Sequence, residues 1–179
     1  MGLLTGFIWG HTVGERVESA QYALFFRLET NEADFKERKG PYRGAPKLAD
    51  WALAEYSSEM GTDTGTASDR HPMPYQDAKL AMVWGALPYS CAQAYVFGFD
   101  KLSQYRNWFC SDQGLSDIRD IACLGVYLVP TADHKLIPGQ FQAAAMRTQR
   151  VHVYDLPTNY TSTDLDRMRS ALCLQGDLV

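Results

Sequence analysis

The chain is short of cysteine and histidine, has no surplus of positive charge and contains no long apolar run. Its four cysteines, Cys91, Cys110, Cys123 and Cys173, form no C-x-x-C pair. Three of them sit in apolar or helical contexts, so they read as reduced, structural residues rather than a zinc site or a disulfide framework. His11, His71, His134 and His152 are scattered, without H-x-x-x-H or H-E-x-x-H spacing, which gives a metal centre no support. A net charge of −4 leaves no basic footprint for nucleic acid, so a nucleic-acid partner is not expected. Nor do the scattered acids form the long run of a nucleic-acid mimic. No stretch is long enough to cross a membrane. The apolar start, Met1 to Trp9, lacks the basic segment of a signal peptide. A cytoplasmic protein with no membrane partner is the expectation. The G-x-x-x-x-G-K-[ST] phosphate loop and the G-x-S-x-G nucleophile turn are also missing, and Gly61-x-x-x-Gly65 lacks the lysine that would follow it.

What remains is an ordinary globular composition, 46% hydrophobic and 21% charged, in 179 residues. This suits one domain over 1–179. Aromatics reach 12%, which reads as an aromatic-rich core before it reads as a stacking surface. Tyr22 to Glu29 is dense in aromatics and predicts a strand; residues 1–20 predict an N-terminal arm. Leu48 to Met60 has helical spacing, 61–70 predicts a mobile loop, and Ala78 to Leu87 a short helix. Tyr95 to Phe109 is the most informative stretch: an apolar segment ending at Gly98-Phe99 feeds a helix carrying Leu102, Tyr105, Trp108 and Phe109. Asp100 or Ser103 is placed to cap it. A second helical piece is expected over Asp117 to Cys123, ending at Gly125. Strands are expected at Val126 to Pro130, Gln140 to Met146 and Arg150 to Asp155. Thr161 to Asp164 offers a capping box for a last helix over 161–174. Strands and helices mix without strict βαβ alternation, which predicts an α+β fold with a mixed or antiparallel sheet and flanking helices.

The polar candidates are few. Arg27 and Glu29 lie two apart on a strand and share a face, as a guanidinium and its orienting acid would; the plainer reading is a solvated ion pair. Gly40-Pro41-Tyr42-Arg43 is a turn that can present Tyr42 and Arg43 at a pocket rim. His71 and Asp77, in a proline-stiffened segment, can form an acid–base couple, although a surface histidine is the plainer reading.

Taken in order, several motifs carry a resemblance. They are Phe26-Arg27-Leu28-Glu29, Gly40-Pro41-Tyr42, His71-Pro72 with Pro74 and Asp77, and Phe97-Gly98-Phe99-x-x-Leu102-x-Gln104-x-x-x-Trp108-Phe109. Val126-Tyr127-Leu128-Val129-Pro130 and Gly139-x-x-Gln142 complete the set. The chain resembles a family of small bacteriophage and prophage proteins over roughly residues 22–146. That resemblance implies a phage origin; joined to a small acidic chain without a strong catalytic motif, it leads to the expectation of a protein that binds a host bacterial protein in the cytoplasm of the bacterial host. Inhibition of a defence-system component is the function that fits it. A more distant likeness is to ADP-ribosyltransferase-like folds, in which Arg27 would hold a dinucleotide and Gln142 would stand where a catalytic glutamate belongs. Glutamine carries no negative charge, so turnover through it is not implied. On that alternative Arg27, Tyr42, His71 and Gln142 would converge on a nucleotide-type ligand such as NAD; otherwise no cofactor is expected. A third reading is a homo-oligomer built through an aromatic surface.

Overall fold

A computed structural model describes residues 21–34, 36–41, 47–52, 54, 76–84 and 94–172. The expected arm at 1–20, the loop at 61–70, and Tyr42, Arg43, His71, Cys91 and Cys173 lie outside the described residues. In chain order the elements are β1 (Tyr22–Thr30), α1 (Ala78–Trp84), β2 (Tyr95–Gly98), α2 (Leu102–Trp108), α3 (Asp112–Asp117) and β3 (Ala122–Pro130). There follow β4 (Leu136–Ile137), β5 (Ala143–Met146), β6 (Val151–Leu156) and α4 (Ser162–Ala171). Residues 47–52 are also helical and bury Leu48 and Ala52. The arrangement is α+β, as the sequence predicts. Its strands divide into two antiparallel three-stranded sheets, in the orders β1-β3-β6 and β2-β5-β4.

Alternation along β1 separates its two faces. Leu24, Phe26 and Leu28 join Leu124 and Val126 of β3 in the main core, against Leu102, Tyr105, Trp108 and Phe109 around α2. Phe25 turns the other way and packs with Val96, Tyr127, Val129 and Leu136. Among the described residues the two sheets meet at one bridge, where Phe26 N–H donates to the Phe99 carbonyl and Phe99 N–H to the Phe26 carbonyl, both at 2.8 Å. This crossing requires Gly98. A Cβ there would run into the Phe26 carbonyl and stand 2.6 Å from Cζ of Phe25.

Phe99 then enters the core and meets the rings of Tyr105, Trp108 and Phe109 edge-on, with centroids 5.7, 5.8 and 6.1 Å away. Neither Asp100 nor Ser103 caps α2; the N-cap is Lys101, without a side-chain bond. Gln104 does related work from inside the helix. Its Oε1 accepts from Asp100 N–H at 3.0 Å, while its Nε2 donates to the Gly139 carbonyl at 3.2 Å. Burial lifts the Asp100 carboxyl above its ordinary value.

The second helical piece lies earlier than expected, at Asp112–Asp117 instead of Asp117 to Cys123. Ser111 decides its start, since its hydroxyl accepts from Gly114 N–H at 3.0 Å. Ala122 to Leu124 are buried strand residues opposite β1, where pairing overrides their helical pattern. The expected strand at Gln140 to Met146 shortens to β5 because residues 140–142 wrap a carboxylate. Asp77, fully buried, accepts from the N–H groups of Lys79 and Leu80 at 3.1 and 3.3 Å, and from Gln140 and Phe141 at 2.8 and 2.9 Å. One side chain thus caps α1 and anchors a distant loop. Burial pushes its carboxyl up, but these backbone donors outweigh burial and hold it below the ordinary carboxylate range. Asp77 is thus a structural anchor whose oxygens accept from backbone donors of two segments. Among the described residues no helix is long and apolar enough to cross a membrane.

Candidate functional site

The face of the β1-β3-β6 sheet that carries Phe25 continues as a charged surface. Arg27 and Glu29 extend from β1, and Cys123, Gly125 and Tyr127 line up beside them on β3. On β6 a register shift sets Tyr154 opposite Val126 but His152 opposite Tyr127, leaving Val153 unmatched. This bulge brings His152 and Asp155 onto the charged side, while Val153 and Tyr154 pack on the main core.

Glu29 is the centre of this surface and is fully buried. Arg27 NH1 donates to its Oε2 at 2.8 Å, and the Tyr127 hydroxyl donates to its Oε1. Gly125 makes room for the carboxylate. A Cβ at that position would lie 2.5 Å from Glu29 Oε1 and 2.9 Å from Cε2 of Tyr127. Burial, reinforced by the Glu29 charge, raises the Tyr127 hydroxyl well above its ordinary value, so it stays a proton donor at neutral pH.

Arg38 folds back over the sheet from the loop after β1. Its Nε donates to the Glu32 carbonyl at 2.7 Å. Its NH1 and NH2 clasp Asp155 Oδ1 and Oδ2 at 2.5 and 2.9 Å, and NH1 lies 3.7 Å from Glu29 Oε1. His152 Nε2 stands 2.9 Å from Asp155 Oδ1. The hydrogen bond to Asp155 raises the Arg38 guanidinium above its ordinary value. Asp155, despite a burial cost, is held below the carboxylate range by Arg38 and His152. Cys123 Sγ accepts from Arg38 NH1 at 3.4 Å, yet burial and the nearby Asp155 charge push its thiol up to about 12. It is therefore protonated and unreactive at neutral pH.

Arg150, just before β6, completes the group. Its side chain is only 6% exposed and its guanidinium lies 4.4 Å above the Tyr127 ring. Its NH1 approaches Glu29 Oε2 at 4.0 Å, too far for a hydrogen bond.

Of the sequence candidates, then, the structure places Arg27 and Glu29 in one part-buried pair with Glu29 fully enclosed, where a solvated pair is the plainer sequence reading. Gln142 is buried in the loop that Asp77 holds, at the entry to the other sheet. Tyr42, Arg43 and His71 lie outside the described residues. Arg38, Tyr127, Arg150 and Asp155 escape sequence reasoning. Their one local signal is spacing, since Gly125 and Tyr127 share a strand face; what joins them to Arg27 and Glu29 is the β1–β3 register.

Residues 20–159 match the model of a family described as Bacteriophage T4 Y00F protein. The chain belongs to that family. The match runs from the start of β1 to just beyond β6 and takes in every residue of the charged face, leaving α4 outside. Searches of curated proteins and of solved structures found no match. The likeness to ADP-ribosyltransferase folds, and the NAD it implies, gains no support from these comparisons.

Proposed function

We propose that this phage-family protein acts by binding a host bacterial protein and inhibiting it, with a component of a bacterial defence system as the class of target. Membership of the phage family supports the setting. The observation that carries the binding mode is the open edge of β6. In the order β1-β3-β6 this strand lies at the margin, and among the described residues no strand pairs with its outer side. An unpaired strand edge is a template for an extended segment of another chain, with backbone hydrogen bonds giving affinity and alternate side chains giving selectivity. Val151, 55% exposed, sits at the head of this edge, and Asp155 closes it with an acid. The charged groups behind the edge stiffen it, because Arg38 ties Asp155 back to the loop after β1.

The test is capture from host lysate followed by reconstitution with the purified host protein. The wild-type chain is expected to retain one host protein and to reduce its activity when the two are mixed. Val151→Lys, a surface change costing no more than about 0.5 kcal/mol of stability, should abolish capture, since a lysine on an edge strand opposes pairing. Equal capture by wild type and Val151→Lys removes the β6 edge from the reading. A reconstituted pair without loss of host activity removes inhibition.

A further inference from the structure

β3 begins at Ala122, but its pairing with β6 begins only at Leu124, opposite Leu156. Pro157 has no N–H to continue that pairing, and the chain turns away towards α4. Ala122 and Cys123 therefore have β1 on one side, at Thr30 and Glu29, and among the described residues no strand on the other. The space beyond them is a groove of about 540 Å³, open to solvent and lined from the ends of all three strands. That volume has room for a side chain and the backbone that carries it.

The lining divides by chemistry. Ala122, Leu156 and Pro157 give it an apolar stretch. Three carboxylates, Asp120, Asp155 and Asp164, stand against one guanidinium, Arg119. Arg38 and Arg167, which pair with Asp155 and Asp164, are not part of the lining, so an occupant meets more negative charge than positive. Asp155 is engaged by Arg38, and Asp164 by Thr161 in the cap of α4. Asp120 is less committed: its side chain is 88% exposed, and Arg119 stands 3.6 Å from it, beyond a good hydrogen bond. Asn31 and Asn159 also line the groove, and neither side chain has a hydrogen-bond partner among the described residues. Two carboxamide oxygens and one carboxylate are thus open acceptors beside an apolar stretch.

We propose that this groove receives a lysine side chain of the host segment that pairs with the β6 edge. The inference rests on host-protein binding at that edge, and Asp155 and Leu156 belong to both the strand and the groove. A segment paired along β6 passes the mouth of the groove where the strand ends. A lysine from it lays its methylenes along Leu156 and Pro157, while the ammonium, all donor and no acceptor, meets Asn31, Asn159 and Asp120. A carboxylate is repelled by the same lining, and an apolar side chain leaves the acceptors facing it without a donor.

The experiment is titration of the isotope-labelled full chain with N-acetyl-lysine amide, followed through its amide resonances by nuclear magnetic resonance. N-acetyl-norleucine amide and N-acetyl-glutamate amide, at matched ionic strength, are the comparison probes. The lysine probe should shift the backbone amides of Ala122 and Cys123 and the side-chain amides of Asn31 and Asn159 saturably, and bind at least tenfold more tightly than either other probe. Asp120→Lys, at an exposed position that tolerates substitution, should abolish the response, and Asn31→Ala should weaken it severalfold. Val151→Lys, at the opposite end of β6, should leave it unchanged. Loss of host capture in Val151→Lys with no lysine response in the wild type leaves the β6 edge standing and overturns the groove. A lysine response alongside normal capture by Val151→Lys keeps the groove and removes the edge. An equal response to the norleucine or glutamate probe, or an undiminished one in Asp120→Lys, also overturns the proposal.

Discussion

At the scale of single residues, the chain commits its charged side chains to one another. Glu29 is the clearest case: a fully buried carboxylate whose oxygens are taken by Arg27 and Tyr127, with Arg38 and Arg150 at 3.7 and 4.0 Å. Removing one member of such a group leaves the others buried and uncompensated. Glu29→Gln is therefore expected to lower stability by about 3 kcal/mol, read as a lower urea midpoint at unchanged slope. Tyr127→Phe, which deletes one donor and leaves the charges paired, should cost about 1 kcal/mol. Equal effects for the two would mean that the hydroxyl, rather than the charge, holds this face.

At the scale of elements, local chemistry and distant pairing divide the work. The last helix is locally specified. Thr161 accepts from Asp164 N–H at 3.3 Å while the Asp164 carboxylate accepts from Thr161 N–H at 2.8 Å, a reciprocal cap visible in the sequence. Thr161→Ala should cost about 1 kcal/mol, checked by urea denaturation; because α4 lies outside the matched 20–159 segment, the charged face should keep its behaviour. The strands at Tyr22 and Val126 and the joint from Gly98 to Phe109 are legible for the same reason, since apolar pattern and turn residues lie within a few positions of each other. What escapes is whatever depends on partners far along the chain. Ala122 to Leu124 read as helix until β1 lies beside them, and Gly125 reads as a helix end until Glu29 lies over it. The role of Asp77 as a clamp between α1 and the 140–142 loop escapes too, because the four N–H groups it holds come from two separate segments. Arg27 and Glu29 are recognisable as a pair, but their burial beside Arg38, Tyr127 and Arg150 is a property of the sheet register.

For the whole molecule, the depressed carboxylates set the response to acid. Asp77 and Asp155 are both held below the ordinary range when folded, so the unfolded chain binds protons more readily than the folded one. Their contribution is fully present above the unfolded carboxylate value of about 3.9 and is lost as the pH falls through the lower folded values. Stability measured by urea denaturation is expected to change little through this pair down to about pH 5 and to drop below about pH 4. Asp77→Asn should lower the plateau and flatten the acid limb. An acid limb unchanged in that variant would place the titrating groups elsewhere.

The pairing of Tyr22 with Pro130 carries a consequence for how the protein is made. About a hundred residues of chain separate the two strands, and a bacterial ribosome adds roughly 5–20 residues each second. Phe25 and Phe26 therefore emerge several seconds before the strand that covers them exists. Over that interval the nascent chain is a client for whatever holds apolar segments at the ribosome exit, and a target for proteases that cut extended backbone.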